Sequence, residues 1–81
     1  MDDKVIKIVG EYYFYYYPED KGKREIKPED NLLGDLGFDS LDYIEIAMSI
    51  EDEFNIDISD DELEKINTVQ DVINLVKKSK K

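Results

Sequence analysis

Val5, Ile8, Val9, Tyr12 and Tyr16 recur at helical spacing, which predicts a first helix from about Asp3 into the aromatic run Tyr12–Tyr17. Pro18 is expected to stop it, because proline has no N–H to donate and crowds the preceding turn. Residues 18–31 are polar, contain Gly22 and two prolines, and read as a long loop. A linker between domains is the competing reading, but neither flank is large enough to fold alone. Leu32, Leu33, Leu36 and Phe38 bring the chain back to a core, with Gly34 and Gly37 permitting tight turns.

A second helix is expected to start at Asp39 and run to about Phe54. The Asp39 carboxylate can cap free backbone N–H groups, and Asp42 adds favourable charge in the first turn. Ser59-Asp60-Asp61-Glu62 and Thr68-Val69-Gln70-Asp71 each resemble a capping box, with Asp replacing Glu in the second. They mark a short third helix at about 60–65 and a fourth at about 69–78. The expected fold is all-α: one domain over residues 1–81, a four-helix bundle with a long loop between helices 1 and 2 and a short third helix.

The second helix carries two apolar stripes. At about 100° per residue, Tyr43, Ile46, Ala47, Ile50 and Phe54 share one arc, the expected core face. Leu41, Ile44 and Met48 lie roughly opposite, flanked by Glu45 and Asp52 on one side and Glu51 on the other. A core needs one stripe. The second is either scattered surface apolar residues or a docking face, with apolar contacts for affinity and acids for steering basic partners.

Charge strengthens the docking alternative. The formal net charge is −10, and from Glu29 to Glu64 there are 14 acids with no Lys or Arg. The bases sit near the N-terminus, at Lys21 to Lys27, at Lys65 and in the tail Lys77, Lys78, Lys80 and Lys81. Such a surface repels nucleic acid and anionic lipid, although acidity also serves solubility alone. Cysteine and histidine are absent, which removes disulfides, Cys/His zinc sites and a histidine general base. No signal peptide or membrane span is read from the chain, so a cytoplasmic setting is expected. Asp57, Ser59, Asp60, Asp61 and Glu62 prompt a calcium-sensor reading, but their spacing does not match an EF-hand and no glycine occupies the turn.

Ser40 stands in the first turn of the second helix, just beyond Gly37-Phe38. The plain reading is a capping serine. With no histidine to activate it, Ser40 is a poor nucleophile of its own. It can still be the acceptor in another enzyme's reaction, because a helix N-terminus favours a phosphate ester.

The string Asp35-Leu36-Gly37-Phe38-Asp39-Ser40-Leu41-Asp42 resembles the phosphopantetheine attachment motif of acyl carrier proteins. The resemblance continues through Ile44-Glu45-Ile46-Ala47-Met48, Ile50-Glu51-Asp52-Glu53-Phe54, Asp60-Asp61-Glu62-Leu63-Glu64-Lys65-Ile66 and Thr68-Val69-Gln70-Asp71-Val72. It covers residues 29–77 densely and the first helix loosely. It implies a carrier, not an enzyme: a phosphopantetheinyl transferase moves a 4'-phosphopantetheine arm from coenzyme A to the Ser40 hydroxyl, and the arm's thiol holds acyl groups as thioesters. By resemblance, Asp39, Leu41 and Asp42 lie beside the attachment point. Leu41, Asp42, Ile44, Glu45, Met48, Glu51 and Asp52 match the family's docking surface for acyl-processing enzymes with basic patches. Ile46, Ala47, Ile50, Leu63 and Ile66 match the walls of its acyl pocket. A monomer in fatty-acid biosynthesis is the implied setting.

Two features depart from the family pattern. Phe38 fills a position commonly small in fatty-acid carriers and larger in polyketide and aminoacyl carriers, so a specialised carrier for polyketide, aminoacyl or modified lipid building blocks is the alternative. The aromatic run and the following loop are also several residues longer than usual. Tyr12 and Tyr16 are expected in the core, and Tyr13 or Tyr17 is left to cover the loop, pack on the arm or meet a partner. An unmodified helical adaptor using only the acidic face is the rival of another class.

Overall fold

Helix α1 (Asp2–Tyr16) ends two residues before Pro18, which opens a 3-10 turn, Pro18–Asp20. Helices α2 (Ser40–Phe54), α3 (Asp60–Glu64) and α4 (Val69–Ser79) follow. This is the all-α, four-helix architecture expected from the sequence. The computed structural model describes residues 2–79; Lys80 and Lys81 of the basic tail lie outside the described residues.

Local chemistry sets each boundary. Asp39 is the N-cap of α2, its carboxylate accepting the Asp42 N–H at 3.0 Å while the Asp42 carboxylate accepts the Asp39 N–H at 3.1 Å. This reciprocal pair satisfies donors that a helix start leaves free. Asn55 ends α2 in the left-handed region at φ 55° and donates to the Glu51 carbonyl, a conformation that asparagine tolerates better than most residues. Ser59 and Glu62 form the expected box at α3. At α4, the Thr68 Oγ1 accepts the Asp71 N–H at 3.2 Å, and the Asp71 carboxylate accepts the Asn67 and Thr68 N–H groups, both at 2.9 Å. Lys77 and Lys78 occupy the last turn of α4, where cations suit the helix dipole.

The long loop is tied down at its far end. Asn31 and Thr68 form an isolated antiparallel bridge. Around it the N–H groups of Leu32, Val69 and Gln70 reach the carbonyls of Asn67, Asp30 and Pro28. Gly37 turns the chain into α2 at φ +72°, which a side chain would strain.

Val5, Val9 and Tyr13 of α1 pack with Ile46, Ile50 and Phe54 of α2 and with Val69, Val72, Ile73 and Val76 of α4. Ile26, Leu32, Leu36 and Phe38 of the loop complete the core. Three expectations are corrected here. The buried aromatic of α1 is Tyr13, in the same row as Val5 and Val9, while Tyr12 is half-buried and Tyr16 exposed. Tyr12 sits on the flank because its hydroxyl reaches α2, meeting the Ser49 Oγ at 2.7 Å and the Glu45 carbonyl at 3.1 Å. Leu33 is exposed, since its N–H is turned onto the Asn31 Oδ1 within the bend. Tyr43 only packs against the margin of the core.

Candidate functional site

Ser40 is the first residue of α2 and is exposed. The capping pair Asp39 and Asp42 brackets it and fixes the backbone on both sides. An open depression of about 460 Å³ lies beside it, walled by Ser40, Tyr43 and Ile44 of α2 and by Asp60, Leu63 and Glu64 of α3. Tyr43 and Leu63 also wall an apolar cavity behind it, together with Leu32, Ile46, Ala47, Ile50, Ile58, Ile66 and Val72. That cavity measures about 10 Å³, at the threshold for one water molecule. The bundle is therefore closed between α2 and α3.

All the residues read as a pocket, Ile46, Ala47, Ile50, Leu63 and Ile66, meet around this cavity. Leu32, Tyr43, Ile58 and Val72 join them and were not anticipated. The alternation Ile56-Asp57-Ile58 after α2 was the available signal for Ile58. Burial pushes the Tyr43 phenol up, with a smaller push from Asp71. Phe38 is buried in the core and belongs to neither set of walls.

On the outer face of α2, Leu41, Ile44 and Met48 are 71%, 47% and 59% exposed. Glu45 and Asp52 are exposed with them. The structure revises two members of the sequence-derived docking set. Asp42 is 7% exposed, with its oxygens taken by the Asp39 N–H and the Tyr16 hydroxyl, so it is not a free surface acid. Glu51 is half-buried, and its Oε2 accepts the Ile58 N–H at 2.8 Å, holding the turn after α2. A helical wheel places both acids beside the outer stripe and cannot register these loop and α1 partners.

The aromatic run supplies a bond from Tyr16 that the sequence reading did not anticipate, and Tyr13 takes the loop-covering role left open for it. The Tyr16 hydroxyl donates to the Asp42 Oδ1 at 2.8 Å, and this bond pushes its pKa up to about 12. Tyr13 donates to the Asp20 Oδ2 at 2.6 Å and accepts from Arg24 at 3.1 Å, with the guanidinium over its ring. Its pKa is raised, chiefly by the bond to Asp20. Tyr13 thus locks the start of the loop onto α1. Among the clustered acids near α3, the Ser59 N–H holds the Glu62 carboxyl below its usual range. Among the described residues no group of His, Cys, Asp or Glu side chains is arranged to hold a metal ion, and no helix is long and apolar enough to cross a membrane.

Three comparisons agree with this geometry. The family model described as "Phosphopantetheine attachment site" matches residues 21–76. An acyl carrier protein from Clostridium acetobutylicum is 49% identical over 53 residues, which cover 65% of this chain and 69% of that protein. The crystal structure of an acyl carrier protein from Thermotoga maritima superposes with a TM-score of 0.66 at 35% identity, covering 93% of this chain and 89% of that one. The matched segment holds the capped start of α2, the acidic outer stripe and the closed apolar cavity, and by these the chain belongs to the acyl carrier protein family, whose members bear 4'-phosphopantetheine.

Proposed function

We propose that Ser40 Oγ is the attachment point of the 4'-phosphopantetheine arm, and that residues 1–81 act as one monomeric carrier domain in cytoplasmic fatty-acid biosynthesis. The observation that carries the reading is an exposed serine at the capped start of a 15-residue helix, with an open depression at its side. Free N–H groups and the helix dipole favour a phosphate ester at that point. The walls of the depression leave room beside Ser40, so the residues present fit the group. When bound, the arm supplies the thiol that holds an acyl group as a thioester; the chain itself has no cysteine.

The chain's own residues present and shelter the cargo. Leu41, Ile44 and Met48 offer apolar contact to partner enzymes, and Glu45 and Asp52 orient basic patches on them, including those of the transferase. Tyr43 and Leu63 form the step between the depression and the inner cavity. Parting them admits an acyl chain among Ile46, Ala47, Ile50 and Ile66, apolar side chains that wall the inner cavity. Phe38 is buried in the core and is not among the walls of the depression beside Ser40.

Incubation with coenzyme A and a broad-specificity transferase should add one arm, which peptide mapping places on Ser40. Equal labelling of Ser40→Ala would overturn the assignment. Mass spectrometry of the thioesters carried in cells should then find saturated and 3-hydroxy fatty acyl chains. Polyketide or aminoacyl species would instead favour the specialised carrier.

A further inference from the structure

The Ser40 turn is held from outside α2. Tyr16, in the last turn of α1, is 50% exposed, and its hydroxyl reaches the buried Asp42 at 2.8 Å. Asp42 uses its other oxygen to accept the Asp39 N–H at 3.1 Å. Asp39 in turn accepts the Asp42 N–H at 3.0 Å. Ser40 lies inside this ring of bonds, between two residues whose backbones it fixes. The neighbouring Tyr17 lies close to the turn before Asp39: a Cβ placed on Gly37 would come within 3.4 Å of its hydroxyl oxygen. The end of α1 therefore rests on the turn that leads to Ser40 and on the cap that follows it.

A capping box stabilises a helix start without outside help. The tyrosine adds something different. It removes the rotational freedom of the Asp42 carboxylate and couples the position of Ser40 to the body of the bundle. A phenol suits this task because it stays a donor: its bond to Asp42 keeps it protonated far above neutral pH. Lysine at the same place would replace this neutral donor with a strongly hydrated charge on a flexible stem.

We propose that Tyr16 is a positioning residue for modification of Ser40: through Asp42 it holds the backbone on both sides of the serine in the orientation that the transferase uses. The proposal rests on Ser40 being the attachment point. It assigns part of the aromatic run to the carrier reaction, while Tyr12 and Tyr13 serve packing and the loop.

The test uses the full chain with Tyr16→Phe, which keeps the ring and removes only the hydroxyl, and with Asp42→Ala. Circular dichroism should be unchanged for Tyr16→Phe. Transferase kcat should fall about three- to tenfold, the net scale of one ordinary hydrogen bond, with KM unchanged. In the Asp42→Ala background, the same substitution should add almost nothing, as expected for two groups acting as a unit. Amide exchange at Asp42 and Tyr43 should accelerate in unmodified Tyr16→Phe. A wild-type rate for Tyr16→Phe would overturn the proposal. So would a loss confined to KM or a loss additive with Asp42→Ala, because either would make Tyr16 a contact of the transferase. Absence of any label on wild-type Ser40 would instead overturn the attachment assignment. In that case the exchange rates still decide whether Tyr16 orders the start of α2, and unchanged rates would sink that too.

Discussion

The two apolar stripes of α2 are built from much the same side chains, and the bundle treats them in opposite ways. Ile46, Ile50 and Phe54 are buried against α1, α4 and the loop, whereas Leu41, Ile44 and Met48 stand in solvent on the same helix. Apolar character is shared. The difference lies in the neighbours. Tyr12 reaches across from α1 to the Ser49 Oγ and the Glu45 carbonyl and ties α2 to α1. In the assembled bundle one stripe meets the core and the other faces solvent. An exposed stripe rimmed by Glu45 and Asp52 offers contact area together with steering charge, which a core stripe never needs. Helix α2 thus holds the bundle together with one face and exposes its opposite face, the one we propose for docking.

The largest way to break this contrast is to cut into the inner stripe. Ile50 is fully buried, so Ile50→Ala should cost about 2–5 kcal/mol of stability, measured by chemical denaturation. For a chain of 81 residues that is a large share of the total. Met48→Ala on the outer stripe should leave the denaturation midpoint nearly unmoved. Equal losses at the two positions would show that the outer stripe is also structural.

Charge reversal sharpens the functional side. Replacing Glu45 and Asp52 with Lys should lower kcat/KM for the transferase about tenfold or more at low salt, mainly through the association rate. Added salt should narrow the gap, since screening removes the steering. Unchanged kinetics at low salt would reduce the acidic rim to a solubility device. Met48→Ala should cost less, about three- to tenfold in affinity, the scale of a lost apolar contact. Its penalty should persist at high salt, where the charge-reversal penalty fades.

Smaller effects follow from the acids as a group. The 14 acids between Glu29 and Glu64 repel one another across a small core. Raising ionic strength from low to moderate should therefore raise the Tm by a few degrees, and a flat Tm would count against that repulsion. Asp71 adds a separate effect through its cap. Hydrogen bonds from Thr68 and Asn67 at the start of α4 hold its carboxyl below its ordinary value. A lowered pKa in the folded state adds stability that is complete above the unfolded value, roughly 3.9 for aspartate, and disappears as pH falls through the folded value. Wild type should therefore be more stable than Asp71→Asn near neutral pH, and the difference should close in strong acid. A difference independent of pH would remove the carboxylate from the cap.

Local rules were enough for much of this molecule. Pro18, the Asp39 cap and the two downstream capping boxes fix where helices begin and end through bonds spanning three or four residues, so these boundaries were legible in the chain. The same holds for the two stripes of α2, because helical period sorts side chains by direction whatever lies beyond them. Ser40 was legible as well, through its position at a helix start and the motif around it. Only the assembled bundle decided which tyrosine of the aromatic run is core. Periodicity favoured Tyr12 and Tyr16, but the direction of α1 against α2 and the loop buries Tyr13 and sends Tyr16 to Asp42. Only the tertiary structure showed that Asp42 and Glu51 are not free acids, by giving their oxygens partners 26 and 7 residues away. A carboxylate's availability depends on what the rest of the chain brings within 3 Å of it, and no helical wheel contains that distance.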